Sequence, residues 1–278
     1  MKISVIIPIH EYNDELSLLV DKAIDSVINQ KGVDVIPKIL LVYPTIIESN
    51  IKGLVESQLS KHQDSGITSN NFYLVPNHSD ESDYQTQVNL GVESVTTEYF
   101  SVLEFDDEYA DSYIKNATIY LESYPEIDVF LTMMIEVNHK NEGIKLTNET
   151  VWAQQFVGEN GEMGYLNVNA LKQYTDFKMS GAIIKKSDFQ NLGGYKHNIK
   201  LTFMYEYLLR ALNNASKIFS IPKIGYKHLA TREGSLFDGY MKNMTIDERK
   251  FWFETASKES NFTNDRPIDL SKLLKVVN

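Results

Sequence analysis

The 278-residue sequence contains no cysteine. That excludes disulfides, thiolate metal sites and a cysteine nucleophile, and it fits a reducing compartment. Any metal the protein holds must be taken by carboxylate oxygens or imidazole nitrogens. Proline and glycine are sparse, 7 and 14 residues, and nowhere gather into a linker that would force a second domain. No internal repeat or low-complexity segment is present. No apolar run approaches the roughly 20 residues that cross a bilayer, and the opening "MKISVIIPIHEYND" has one Lys and too short an apolar stretch for a signal peptide. The expectation is a soluble, cytoplasmic protein with no transmembrane segment. A Gly-rich phosphate loop near the N-terminus is also missing, which counts against a nucleotidyltransferase.

What is present is enough for a large core: 42% of residues are hydrophobic, which suits one large domain or a domain with an appendage. The net charge of -11 is uneven. From 171 to 232 there are eleven Lys or Arg against three acids, a net +8, so the remainder carries -19. Either this stretch meets anions, or its lysines are scattered over solvated faces.

Four continuous apolar runs, at 3–7, 39–43, 72–75 and 99–103, read as strands buried on both faces of a parallel sheet. Helical patterns lie between them: one opened by Asp14 as cap, with apolar positions from Leu16 to Ile28, then weaker ones at 46–62 and 85–95. The alternation predicts an α/β domain with right-handed crossovers. Later come a strand "VFLTMMIEV", a polar insertion over 138–175, "SGAIIKK", a helix "FMYEYLLRALNN" and a strand "KIFSI". The tail "TIDERKFWFETASKES" predicts an amphipathic helix with Phe251, Trp252 and Phe253 on the body.

In such sheets ligands sit beyond the C-terminal strand ends, where Pro8 to Glu11 and Glu104 to Asp107 fall. In "YFSVLEFDDEY" a core strand runs into Glu104, Asp106 and Asp107. These form either an acidic turn or a ligand site. With strand alternation, Glu104 and Asp106 share one side of the strand end.

Together, "SVIIPIHEYNDELSLLVDKAIDSVINQ", "YQTQVNLGVESVTTEYFSVLEFDDEY", "SGAIIKKSDFQNLGGY" and "FMYEYLLRAL" resemble, in order and spacing, family 2 glycosyltransferases of the GT-A fold. The resemblance covers roughly 1–235. It implies a Rossmann-like, mixed but mostly parallel central sheet flanked by helices, with a nucleotide-sugar half at 1–110, an acceptor-side half at 111–235 and a helical extension over 236–278 packed on the body. It implies a transferase that uses a nucleotide sugar, a UDP-sugar by family likeness, with Mn2+ or Mg2+.

The implied donor contacts are Pro8, Ile9, His10, Glu11, Tyr43, Gln87, Asn89, Glu104, Asp107 and Arg232. The implied metal ligands are Asp106, Glu104 and His228, the last within "GYKHLATREGSLF". Where the family carries a Glu-Asp pair, this sequence has Phe203 and Met204, which leaves Glu206 as the expected general base and Asp176 as the next. A Glu206 buried against Arg210, retention of configuration through the sugar's phosphate, and loss of activity stay open.

The tail is similar to those of family 2 transferases from T4-like phages, which would place the protein in the host cytoplasm. A glycan or lipid-linked acceptor comes first. Hydroxymethylated pyrimidine in phage DNA, contacted through Lys185 and Lys186, is the alternative. A silent sugar-binding module and a virion structural protein are rivals from other classes.

Overall fold

The structure is a computed structural model and describes residues 2–230 and 232–264. Chain order is β1 Ile3–Pro8, α1 Asp14–Ile28, β2 Lys38–Pro44, α2 Glu48–Lys61, β3 Phe72–Asn77, α3 Tyr84–Ser94, β4 Tyr99–Val102 and β5 Glu108–Tyr109. There follow α4 Tyr113–Ser123, β6 Val129–Val137, β7 Gly143–Thr147, β8 Gln155–Val157, β9 Met163–Leu166, α5 Val168–Gln173, β10 Ile183–Lys185 and α6 Lys186–Asn191. The last are α7 Phe203–Asn213, β11 Ile218–Leu229, α8 Leu236–Asn243 and α9 Ile246–Glu259.

The strands join one sheet in the order β3-β2-β1-β4-β10-β6-β11-β9-β8, with β5 on β11 and β7 on β6. The four apolar runs form its parallel side, β3-β2-β1-β4, and β6 and β11 are also parallel. β10 enters antiparallel between β4 and β6, so the two predicted halves share one uninterrupted sheet. The architecture is the expected mixed α/β sheet flanked by helices.

Several local expectations change. Asn13, not Asp14, caps α1, because its side chain accepts the amides of Glu15 and Leu16 at 3.0 Å. The polar insertion holds β7, β8, β9 and α5, which hydrophobic patterning hid because β7 and β8 are mostly exposed. The strand "KIFSI" continues to Leu229, past bulges between Ile221 and Tyr226. In α9 the triplet 251–253 does not pack as a unit. Trp252 leans on the core, whereas Phe251 and Phe253 are 57% and 37% exposed. Residues 265–278 of the expected extension lie outside the described residues.

Asn89 and Gly91, the Asn-x-Gly of α3, act through packing. The Asn89 amide donates to the Tyr195 carbonyl and accepts the Tyr195 amide, both at 2.9 Å, holding the 193–195 turn against α3. A Cβ on Gly91 would run into Ile6 and Val42, so glycine lets α3 lie directly on β1 and β2.

Candidate active site at the strand ends

The ladder ends where the chain leaves β4. The Leu103 amide still bonds the Ile6 carbonyl at 2.9 Å, but the Asp107 amide then folds back to the Glu104 carbonyl at 3.0 Å. A turn therefore replaces the extended strand, and period-2 alternation no longer decides which side chains meet. The carboxylates that converge are Glu104 and Asp107, together with His228 from β11, their ligand atoms all within 4.8 Å of one another. Asp106 points elsewhere, its carboxylate taking the Arg232 Nε at 2.5 Å. The expected Glu104 and Asp106 pair is thus replaced by Glu104 and Asp107.

The cluster is built tightly. Asp107 is 1% exposed and accepts His228 Nδ1 at 2.9 Å and the Leu229 amide at 2.8 Å. The Ser180 hydroxyl donates to Glu104, and the Tyr226 hydroxyl accepts the Glu104 amide at 3.1 Å. Beneath them the Tyr226 ring occupies the space a Cβ on Gly181 would need, and the Tyr113 hydroxyl donates to the Gly181 carbonyl.

Burial, reinforced by Asp107 and Asp106, pushes the Glu104 carboxyl up to about 7. Burial works against charge on His228, but Asp107, Glu104 and Asp106 outweigh it and raise the imidazole to about 9. Burial and Asp107 likewise raise Asp106, with Arg232 opposing. Carboxylate oxygens concentrated beside an imidazole are what a hard divalent cation can use once they are deprotonated. The oxygen and nitrogen donors of Glu104, Asp107 and His228 fit such an ion.

The remaining expected residues divide. Pro8 ends β1 and Ile9 follows it, both in the core, and the Ile9 amide extends the pairing with β2 through the Val42 carbonyl at 2.8 Å. His10 and Glu11 stand exposed on the rim, the His10 ring 5.1 Å from that of Phe105. Arg232 also lies over this phenyl, at 5.2 Å. Tyr43 is 1% exposed inside the core, where burial and Glu48 push its hydroxyl up to about 12, so its side chain offers no contact surface. Gln87 is buried, donating to the Ser82 carbonyl at 3.1 Å, while its Oε1 has no partner.

Glu206 is fully buried. Arg210 grips it through Nε and NH2, both at 2.9 Å, and Lys196 Nζ lies 3.1 Å away. It is thus removed from any acceptor hydroxyl. Asp176 is partly exposed between Lys145 at 2.8 Å and Lys178 at 2.7 Å; burial opposes its charge, but the two lysines hold it below its ordinary range.

Lys185 and Lys186 lie at the wrong end of the sheet. Because β10 is antiparallel to β4, Lys185 pairs with Tyr99, at the start of the strand whose far end carries Glu104. Lys186 Nζ caps the end of α3 at the Val95 carbonyl, 2.6 Å away.

Ser180, Tyr226 and Phe105 belong to the site and had no signal of their own in the sequence. Ser180 and Tyr226 stand in the recognised segments "SGAIIKK" and "GYKHL", but only tertiary packing brings them to Glu104.

No known family model matches the chain, and no curated protein matches it. Among solved structures, that of S. aureus TarS 1–349 in complex with UDP-GlcNAc superposes with a TM-score of 0.65 and 16% identity, over 96% of this chain and 68% of that one. The same TarS piece in complex with UDP gives 0.61 and 14%, over 94% and 81%. Against the longer S. aureus TarS structure the score is 0.59, and the chain spans 44% of that length. At these identities the likeness is one of fold: the architecture shared with these structures is the GT-A glycosyltransferase fold.

Proposed function

We propose that the protein is a metal-dependent glycosyltransferase that moves a sugar from a nucleotide-sugar donor, a UDP-sugar, to an acceptor hydroxyl on a glycan or a lipid-linked sugar. The observation that carries this reading is the convergence of Glu104, Asp107 and His228 at the strand ends of a GT-A sheet. The likeness to structures holding UDP-GlcNAc and UDP supports the choice of donor.

Glu104, Asp107 and His228 would hold Mn2+ or Mg2+, which when bound supplies positive charge against the departing diphosphate. The chain's own groups do the rest. Arg232, 11% exposed and fixed over Phe105, presents a guanidinium at the same turn, where its fork matches phosphate oxygens. Ser180 and the Tyr226 hydroxyl orient Glu104. Its neighbour Phe105 is buried, and its ring backs the exposed His10 imidazole at 5.1 Å on the rim where the donor enters. With Glu206 locked, the proton of the acceptor hydroxyl has to pass to another acid on the acceptor side, where Asp176 is ionised and partly exposed.

Thermal denaturation with UDP or UDP-GlcNAc, each with and without Mn2+, tests the proposal, because a ligand of the folded state raises stability by mass action. Metal-dependent stabilisation is expected. No stabilisation by either nucleotide at millimolar concentration with Mn2+ refutes it.

A further inference from the structure

We infer that the row of side chains running outward from His228, formed by Glu136, Lys145, Asp176 and Lys178 with the Phe237 ring as its apolar platform, is a subsite for a neutral, polyhydroxylated acceptor, a carbohydrate. The inference rests on the glycosyltransferase reading above.

Strand register places the row. Lys145 on β7 pairs with Glu136 on β6, and Glu136 pairs with His228 on β11. Residues directly opposite on neighbouring strands project to one face, so His228, Glu136 and Lys145 run side by side outward from the cluster. Lys145 Nζ lies 3.3 Å from Glu136 and 2.8 Å from Asp176, and Lys178 Nζ lies 2.7 Å from the other oxygen of Asp176. The same ammonium sits 5.2 Å from the centre of the Phe237 ring, which is 55% exposed.

This row and the proposed metal cluster share one frame. The Asn148 side chain exchanges two hydrogen bonds with the Lys178 backbone, at 3.0 and 2.8 Å, and two residues later Ser180 donates to Glu104. Side-chain exposure rises from 11% at Glu136 to 47% at Lys145, so the end nearest His228 is the most desolvated.

The chemistry selects the ligand. Two carboxylates alternate with two ammonium groups, and the row is electrically balanced. A polyphosphate backbone laid along it would press against Glu136 and Asp176, at a cost that neighbouring lysines only cancel. A polyol meets no such conflict, since each hydroxyl both donates and accepts, and carboxylate and ammonium supply the complements in turn. An exposed aromatic face beside them accepts the apolar face of a sugar ring.

The test uses the full chain with UDP and Mn2+ on an immobilised array of neutral glycans, with duplex DNA as the contrast. Binding to at least one neutral glycan is expected, weakened tenfold or more by Phe237→Ala and by Asp176→Asn. UDP affinity by calorimetry should stay within twofold, and both variants should melt within a few degrees of the wild type. Retention of UDP without any glycan bound overturns the subsite alone, as does glycan binding that neither variant weakens, or DNA binding that Lys145→Ala abolishes. A wild-type protein that binds neither UDP nor glycan overturns the transferase reading and takes the subsite with it.

Discussion

At Asp107 the carboxylate accepts an imidazole and a backbone amide while facing Glu104, whereas one position earlier Asp106 is engaged by Arg232. The two neighbours should therefore respond differently to loss of charge. Asp107→Asn is expected to lower Mn2+ affinity at least tenfold, and Asp106→Asn to leave Mn2+ affinity closer to wild type while altering UDP affinity through the freed Arg232. Calorimetric titration of each variant, first with metal and then with UDP, checks this.

Protonation at the same residues gives a second expectation. Glu104 is raised from 4.5 to about 7 and His228 from 6.5 to about 9, so between roughly pH 5 and 9 the folded protein binds more protons than the unfolded chain. Without metal, stability should fall as pH rises across that window. A cation needs both groups deprotonated, so Mn2+ affinity should climb over the upper part of the window and binding should release protons. Calorimetry in buffers of different ionisation enthalpy reads the release directly. Glu206 belongs to a different economy of charge: Glu206→Gln leaves Arg210 and Lys196 buried without a full counter-charge, for an expected loss of roughly 3–5 kcal/mol in urea titration.

Between elements, the joint of β10, β11 and the turn after β4 is the most exacting. Gly181 has φ of 72°, in the left-handed region, and its missing Cβ leaves room for the Tyr226 ring. Gly181→Ala should therefore cost about 2 kcal/mol or more and displace the hydroxyl that orients Glu104. Urea titration paired with Mn2+ binding checks it, and a variant with unchanged metal affinity would separate Tyr226 from the site.

Legibility followed the same division. The parallel strands and α1 to α3 were readable because continuous apolar runs and helical periodicity report burial directly. The acidic stretch pointed to the strand end where Glu104 and Asp107 meet His228. The partners of Glu104 were not readable, because a turn replaced the alternation that the reading assumed and because Ser180 and Tyr226 arrive from 76 and 122 residues away. Asn89 was legible as a motif member but not as a clamp on Tyr195, since nothing local in α3 marks the turn it holds.

Over the whole molecule, several charges of the +8 stretch are paired or dispersed once folded. Lys178 is paired with Asp176, Lys196 is buried on Glu206, Lys227 meets Glu108 at 2.7 Å, and Lys185 and Lys186 face away from the crevice. Duplex DNA is therefore expected to bind weakly, without the steep salt slope of many neutralised phosphates. Reversing Lys185 and Lys186 to Glu together should leave UDP affinity unchanged. Gel shifts at several salt concentrations and calorimetry on that variant measure both.

The end of α9 reaches back to the loop between α6 and α7. Lys196 holds the Glu259 and Phe262 carbonyls at 2.7 and 2.9 Å, Thr202 donates to the Trp252 carbonyl at 2.8 Å, and Asn264 donates to the Gly193 carbonyl at 2.7 Å. Synthesis is vectorial, so the described strands β1 to β11 are all made before these partners. Until residues 252–264 emerge, the nascent chain carries a buried lysine two of whose acceptors, the Glu259 and Phe262 carbonyls, have not yet been made. The closing of this clasp then follows the making of the sheet, and a chain stalled before residue 264 would expose the open loop between α6 and α7 to chaperones and proteases.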